Sequence, residues 1–529
     1  MSNNKKIIKK QLHEHYEILK NSHLSDLFSN DKNRGKHFTS KFHNLLIDYS
    51  KNHITDETLE LLLNYAKELD IKKSINAMFS GKEINVTEGC AVLHHALRAK
   101  PEKVLELKDN EIIKEIKDEL KNIKRFVSLV HDKKLTGWTN KPFDTYVNIG
   151  IGGSDLGTKM VVNALNQYRE EKTRSFFISN IDGEQIELLK KTINPETTLF
   201  IISSKSFKTI ETTTNADVIK SWLLKSGCDD ISKHFVAVTS NFETAKDFGI
   251  GKENIFKTWN WVGGRFSLWS AVGLPVALAI GFENFEKMLL GAYKIDEYFL
   301  SEPLEKNIPI ILALIDYWYI NFYGAPTHAI IPYDESLHYF PSYLSQLFME
   351  SNGKSTDRSG NIVSHKTGAI VWGAIGTNSQ HSVSQLLHQG KHVVPIDFLA
   401  PLMKKGDQNH HELLLANCLA QSRALMQGEN NKKSFLNFDG NKPSTTILYN
   451  ELTPETLGSL LAIYEHRVFV QGLLLEINSF DQYGVELGKK VALDISKKLA
   501  NKEKNINTDS STQNLIDIYI KSKEKNSEN

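Results

Sequence analysis

Three short apolar runs, each ending in a loop of small or hydroxylated residues, constrain this chain more than any other feature. Thr145–Ile149 runs into Gly150, Thr198–Ile202 into Ser203, and Phe235–Thr239 into Ser240. Each run is rich in β-formers, and stretches of helical character separate them. Strands alternating with helices predict a parallel sheet with helices on both faces. In such a sheet ligands bind beyond the carboxyl ends of the strands, where these glycines and serines stand.

The alternation resumes at His328–Pro332, Ala369–Trp372 and His392–Ile396. Between the two sets lie apolar helical stretches, about Leu268 to Leu290 and then Ile308–Tyr323, which carry the chain from one unit to the next. The predicted class is α/β, with two doubly wound parallel-sheet domains, an N-terminal helical region and a C-terminal helical arm. The divisions fall at 1–124 for the helical region packing on the second domain, 125–285, 286–500, and 501–529 for the arm. Residues up to about Lys124 read as mainly helical, with Leu59, Leu62, Tyr65 and Leu69 near helical spacing, as are Leu105, Ile112, Ile116 and Leu120. Ile8, Leu12, Tyr16 and Leu19 share one face of a first amphipathic helix. Asn501–Thr508 reads as a polar linker. Leu515, Ile516, Tyr519 and Ile520 then form a last stripe, capped by Ser511 or Thr512. No short repeat period is present.

Composition removes several function classes. Among 529 residues, 40% are apolar and 24% charged, and the formal net charge is +1. That balance gives no global field for nucleic acid or an anionic membrane, so an anionic small molecule must be held by local groups. No run approaches about 18 consecutive apolar residues, so no membrane span is expected. The basic N-terminus lacks the apolar core of a signal peptide. Three widely spaced cysteines, Cys90, Cys228 and Cys418, fit reduced thiols in a cytoplasmic compartment.

The loops carry the chemistry. In Gly150-Ile151-Gly152-Gly153-Ser154-Asp155, glycines let the backbone turn tightly, and Ser154 stands where a helix would begin. The loop lacks the third glycine of a dinucleotide fingerprint, and a ligand-free strand-to-helix turn fits it equally well. Ser203-Ser204-Lys205-Ser206-Phe207-Lys208-Thr209 crowds hydroxyls and two lysines at one strand end before a helix, a pattern that suits phosphate better than the alternative of a capped helix with solvated lysines. Gly263-Gly264-Arg265 places a permanent cation behind two glycines, suited to an oxyanion or to a structural ion pair. Glu350 ends the helical run Tyr343–Met349 with Gln346 one turn earlier on the same face, a position open to a general base or to an ordinary surface carboxylate. Gly376–Gln380 leads to His381, read as lying at the start of the helix Val383–His388, as a proton-exchanging group or a cap. His410-His411-Glu412 lacks a third ligand at zinc-like spacing, so no metal is expected.

In chain order the motifs are GIGGSDLG at Gly150–Gly157, GGRFSLWSAVGLP at Gly263–Pro275, MESNGK at Met349–Lys354, GTNSQHS at Gly376–Ser382 and INSFDQYGVELGKK at Ile477–Lys490. YEHRVFVQG at Tyr464–Gly472 and NVTEGCAVLHHALR at Asn85–Arg98 extend them. Together they closely resemble the glucose-6-phosphate isomerase family over nearly the whole chain. The resemblance implies two sugar-isomerase (SIS) domains, a homodimer, and reversible isomerisation of D-glucose 6-phosphate and D-fructose 6-phosphate through a cis-enediol, a reaction that needs no redox cofactor or metal, in glycolysis and gluconeogenesis. It implies that Gly153, Ser154, Ser204, Lys205, Ser206 and Thr209 surround the phosphate, and that Gln346 and Gln482 position the sugar. His381 and Lys489 would assist ring opening, Glu350 would move the proton between carbons, and Arg265 would stabilise the enediolate. His381 would serve the neighbouring subunit's site. Against the family pattern, Ser206 stands where threonine is usual, Leu347-Phe348 where Gly-Asp is frequent, and Cys90 where arginine is common. Lys208 and Ile210 replace smaller or polar residues. None of these removes a named group. Two rival readings are an isomerase that also accepts mannose 6-phosphate and a non-catalytic phosphosugar sensor on the same fold.

Overall fold

The computed structural model describes residues 3–99, 110–403, 406–501 and 508–527. Leu105 and most of the 501–508 stretch lie outside the described residues. Met1–Phe480 form one compact unit and Asp481–Asn529 a second.

The first unit holds two sheets. Its strands are β1 (Thr39–Phe42), β2 (Leu45–Lys51), β3 (Thr145–Ile149), β4 (Arg174–Ile178), β5 (Thr198–Ser203), β6 (Phe235–Thr239), β7 (Ile255–Lys257), β8 (Thr327–Pro332), β9 (Ile370–Gly373), β10 (Ile396–Pro401) and β11 (Ser444–Tyr449). The five-stranded sheet has order β4-β3-β5-β6-β7, with every pair parallel. In the six-stranded sheet, order β1-β2-β11-β10-β8-β9, strands β8 to β11 are parallel and the β1–β2 hairpin pairs antiparallel to β11.

The parallel strands of both sheets follow one plan. The first strand is central, the second lies on one side, and the chain then crosses to the other side for the rest. The order therefore reverses between β3 and β5 in one sheet and between β8 and β10 in the other, which makes a crevice at the carboxyl ends of each pair.

β3, β5 and β6 are buried along their whole length. Alternate residues project to opposite faces, and both faces are covered. Val147, Ile149, Phe200, Ile202, Phe235 and Ala237 join one core, while Tyr146, Leu199, Ile201, Val236 and Val238 join the other. The second sheet repeats this, with Ala329, Ile331, Phe398 and Ala400 on one side and Ile330, Leu399 and Ile447 on the other. Each fully buried large side chain contributes about 1.5–3 kcal/mol.

The helices Phe282–Ser301 and Pro454–Leu474 run through the larger core. They cross closely because a glycine stands on each. A Cβ on Gly291 would lie 1.9 Å from the Glu455 carbonyl oxygen, and one on Gly458 would lie 2.0 Å from that of Met288. Two buried arginines brace this helical layer. Arg467 donates to Asp316 at 2.6 and 2.7 Å and to Asp397 at 2.5 Å, and Arg98 donates to Asp296 at 2.7 Å and to Glu465 at 2.5 Å. Fully buried charges of this kind persist only when paired and hydrogen-bonded.

The N-terminal segment contains helices, including Asn3–Leu19, which buries Ile8, Leu12 and Leu19. It also contributes the β1–β2 hairpin, which a helical reading of residues 1–124 omits. In the second unit, the helix Ser510–Ser527 is capped by Asp509, whose carboxylate accepts from the Ser511 and Thr512 amides at 3.0 Å. Ser511 and Thr512 are thus capped residues and not the cap.

Candidate active site

The crevice between β3 and β5 gathers the two phosphate-type loops. Ile149 and Ile202 are register partners, so the loops leave the sheet side by side. Asn148, inside β3, ties them together: its amide donates to the Ser154 carbonyl at 2.9 Å, and its side-chain oxygen accepts from the Ser203 hydroxyl at 2.9 Å. Gly152-Gly153-Ser154 form a single 3-10 turn, and the α-helix Leu156–Ala164 begins two residues after Ser154. Gly152 has φ +61°, a conformation open to glycine. Burial pushes the adjoining Asp155 carboxyl up to about 6, with Lys159 opposing.

In the second loop the Ser204 hydroxyl donates to the Thr209 hydroxyl at 3.2 Å. Thr209 precedes the 16-residue helix Ile210–Lys225 without giving it a side-chain cap, so backbone amides of the first turn are available to an anion. The Ser206 hydroxyl accepts from the Lys208 amide at 3.3 Å. Lys205 is exposed, yet its ammonium turns back to the Asn260 and Val262 carbonyls at 3.2 and 3.4 Å. Partial desolvation lowers its pKa, with Glu88 and Cys90 opposing.

Those carbonyls lead into Gly263-Gly264-Arg265, which brings the cation to the glycine loop. A Cβ on Gly153 would lie 2.1 Å from the Gly264 carbonyl carbon, so the two loops touch backbone to backbone. Arg265 lies in the 3-10 helix Gly264–Trp269 and its side chain is fully buried. Its Nε donates to the Ser351 hydroxyl and its Nη2 to the Ser479 carbonyl, both at 2.6 Å. Nη1 stands 3.5 Å from a Glu350 carboxylate oxygen.

Glu350 comes from the other sheet. It lies near the end of the helix Phe340–Asn352, which follows β8 and opens with Pro341 in its first turn. Gln346, one turn earlier, donates its side-chain amide to the other Glu350 oxygen at 2.7 Å. A Cβ on Gly152 would come within 3.3 Å of that same Gln346 nitrogen. The carboxylate retains 21% exposure, so it is accessible while held on two sides. The chain thus brings together Gly153, Ser154, Arg265, Gln346 and Glu350, with the Ser204–Thr209 loop beside them.

His381 is placed differently. Gly376–Gln380 form a five-residue helix and His381 caps its C-terminal end; the next helix, Ser384–Gln389, starts three residues later. The reading of His381 at a helix start is therefore corrected. The glycine and small polar residues before it adopt helical geometry of their own, anchored where Gln380 donates to the Tyr333 hydroxyl at 2.8 Å. His381 is exposed, and it is not among the hydrogen-bond or ion-pair partners of Glu350. Gln482 and Lys489 belong to the second unit. Gln482 precedes a 3-10 turn, and Lys489 pairs with Glu486 one turn earlier on the helix Glu486–Asn501 at 3.0 Å.

Sequence reasoning did not single out Asn148, Ser351 or Ser479. Asn148 sits inside an apolar strand run, where an amide is costly to bury unless bonded; that anomaly was the available signal. Ser479 acts through its carbonyl, which no residue type announces. Among the described residues no group of three or more His, Cys, Asp or Glu could hold a metal ion, and no helix is long and apolar enough to cross a membrane.

Known proteins are similar to this chain over nearly its whole length. A glucose-6-phosphate isomerase of Campylobacter jejuni subsp. doylei is 47% identical over 527 residues, covering 96% of each chain. That of Wigglesworthia glossinidia brevipalpis is 49% identical over 534 residues at the same coverage. The crystal structure of a glucose-6-phosphate isomerase from Chlamydia trachomatis superposes with a TM-score of 0.86 at 33% identity, covering 97% of this chain and 98% of that one. The phosphoglucose isomerase family profile matches residues 48–516, a span that takes in all the parallel strands of both sheets and every loop described above. The chain belongs to the phosphoglucose isomerase family.

Proposed function

We propose that this chain interconverts D-glucose 6-phosphate and D-fructose 6-phosphate, the activity of its family, with Glu350 as the base that moves the proton. The observation that carries the assignment is the Glu350 carboxylate held between the Gln346 amide at 2.7 Å and the Arg265 guanidinium at 3.5 Å. A base of this kind takes the proton from C2 of the open-chain aldose. The C2–H electron pair becomes the C1–C2 double bond, and negative charge develops on the C1 oxygen. A buried, permanently protonated guanidinium next to the base stabilises that charge with little reorganisation. O1 then gains a proton, O2 loses one, and Glu350 returns its proton to C1, leaving the ketose. One carboxylate serves both carbons because the cis-enediolate is planar and both transfers use one face.

The loop amides and hydroxyls of Gly153, Ser154, Ser204, Ser206 and Thr209, with Lys205, hold the phosphate in this reading. That binding fixes the sugar so that positioning lowers the barrier. Gln346 and Gln482 orient the sugar, and His381 and Lys489 assist ring opening. We infer a homodimer in which His381 serves the neighbouring subunit's site, which accords with its exposure. We also infer that residues 125–285 and 286–500 are the two SIS domains, with 1–124 packed on the second; pairing of the β1–β2 hairpin with β11 supports this. A small sugar phosphate as the ligand and a cytoplasmic location belong to the same reading, in glycolysis and gluconeogenesis.

The test is a coupled assay with fructose 6-phosphate on the wild type and Glu350→Gln. The account expects Glu350→Gln to lose at least about 1,000-fold in kcat while still binding the sugar phosphate. A variant that keeps most of its turnover assigns the base elsewhere. A wild type that binds the sugar phosphate without converting it would instead favour the sensor reading.

A further inference from the structure

Arg265 is aimed by a chain of contacts that reaches well behind the site. Its Nε and Nη2 form one edge of the guanidinium, and both donate to neutral partners at 2.6 Å, the Ser351 hydroxyl and the Ser479 carbonyl. Holding that edge directs Nη1 at Glu350. Ser351 rides on the same helix as Glu350, so its bond moves with the base. Ser479 lies on the segment that follows the helix Pro454–Leu474, and something must fix that segment.

Asn352 does so. The Ser479 hydroxyl donates to the Asn352 side-chain oxygen at 2.7 Å. The Asn352 amide nitrogen donates in turn to the Val468 carbonyl at 3.0 Å and to the Gln471 side-chain oxygen at 2.7 Å. Asn352 is fully buried and Ser479 nearly so, which makes each of these bonds costly to leave unmade. Gly472 completes the fit: a Cβ there would lie 1.8 Å from the Ser479 hydroxyl oxygen and 3.1 Å from the Asn352 oxygen. Only glycine lets the serine approach the helix closely enough to meet Asn352.

We propose that Ser479 and Asn352, seated against Gly472 and Gln471, are positioning residues that set the guanidinium of Arg265 over the developing enediolate. This rests on the reading of Arg265 as the enediolate stabiliser. Neither residue touches the sugar in this account; both act through the orientation of Arg265. Their removal therefore lowers the rate of the proton-transfer steps and leaves phosphate-dependent binding in place.

The test is a double-mutant cycle with Ser479→Ala and Arg265→Lys, read by kcat, by KM, and by inhibition with a sugar-acid phosphate that mimics the enediolate. Ser479→Ala alone is expected to lower kcat by about tenfold with KM within about twofold, and to weaken the mimic by a similar factor. In the Arg265→Lys background, which has lost the planar fork, Ser479→Ala is expected to remove less than about twofold further. Equal losses in both backgrounds, or a Ser479→Ala enzyme with undiminished kcat, overturn the positioning role. An Arg265→Lys enzyme with wild-type kcat overturns the underlying assignment of Arg265 instead. Should Ser479→Ala fail to fold by circular dichroism, Gln471→Met carries the same cycle. It removes one acceptor of Asn352 and no contact of Arg265, and a loss of about threefold that vanishes in the Arg265→Lys background supports the inference. A Gln471→Met loss that persists in that background counts against it.

Discussion

Two adjacent-loop glycines with opposite tolerances test how tightly the site is assembled. A methyl group on Gly153 would stand 2.1 Å from the Gly264 carbonyl carbon, 2.2 Å from its oxygen and 2.7 Å from the Arg265 amide nitrogen. All three are backbone atoms, so no side chain can rotate away. Ordinary contact begins near 3.4 Å, and the loops must therefore part by roughly 1 Å, a misplacement that costs on the order of 100-fold in rate. Gly153 adjoins the phosphate-type serine and Gly264 adjoins the guanidinium, so Gly153→Ala separates the two halves of the site. Overpacking adds about 1–3 kcal/mol of destabilisation. At Gly264 the nearest atom to an added Cβ is the Gly153 Cα at 4.0 Å, an ordinary van der Waals contact that leaves room for a methyl. A coupled isomerase assay on both variants should find Gly153→Ala down by about 100-fold in kcat/KM and Gly264→Ala within about threefold of wild type. Equal damage at both positions, or a Gly153→Ala enzyme within threefold, would refute the backbone-contact argument.

Arg467→Met takes from the buried Asp316 and Asp397 carboxylates one of the two cations they share, the other being His328, and should cost about 3–5 kcal/mol in denaturant unfolding; a change below about 1 kcal/mol would mean that His328 suffices for both acids. His328 lies 3.4 Å from Asp316 and 3.1 Å from Asp397. Burial opposes its charge, but Asp397 and then Asp316 outweigh burial and carry its pKa up to about 9. A raised histidine stabilises the fold fully below its unfolded pKa of about 6.5 and loses that contribution as pH rises through about 9. The gap in thermal midpoint between wild type and His328→Gln should therefore narrow from pH 6 to pH 10, and a constant gap would contradict the charge assignment. Gly291→Ala drives a methyl into the Glu455 carbonyl at 1.9 Å, and should lower stability by about 1–3 kcal/mol with kcat near that of wild type. Equal stability would show that the two helices can slide apart.

What the sequence disclosed follows from where each strand lies. β3, β5 and β6 are central and buried on both faces, so they read as continuous apolar runs. β4 is an edge strand, mostly half-exposed and opened by Arg174 and Ser175, and β7 has only three residues; neither carries a run long enough to see. β11 begins Ser-Thr-Thr and is stabilised by its neighbours more than by its own pattern. The β1–β2 hairpin was hidden among helices because its apolar residues serve a sheet whose other strands come some 280 residues later. In the site, residue type marked Arg265, Glu350 and Gln346 as candidates and the family resemblance gave them roles; Arg265 and Gln346 each meet Glu350. The sequence could not show Asn148 joining two loops or the Ser479 carbonyl directing Arg265, because those roles exist only once distant segments are packed.

The central claim is that the Glu350 carboxylate carries hydrogen between C2 and C1. Isomerisation in deuterium oxide, followed by NMR, tests it directly. The account predicts deuterium entering C1 of the ketose and C2 of the aldose with the wild-type chain, on one face only, and neither label with Glu350→Gln. Label entering at an undiminished rate with Glu350→Gln, or label on both faces of C1 with the wild type, would contradict it.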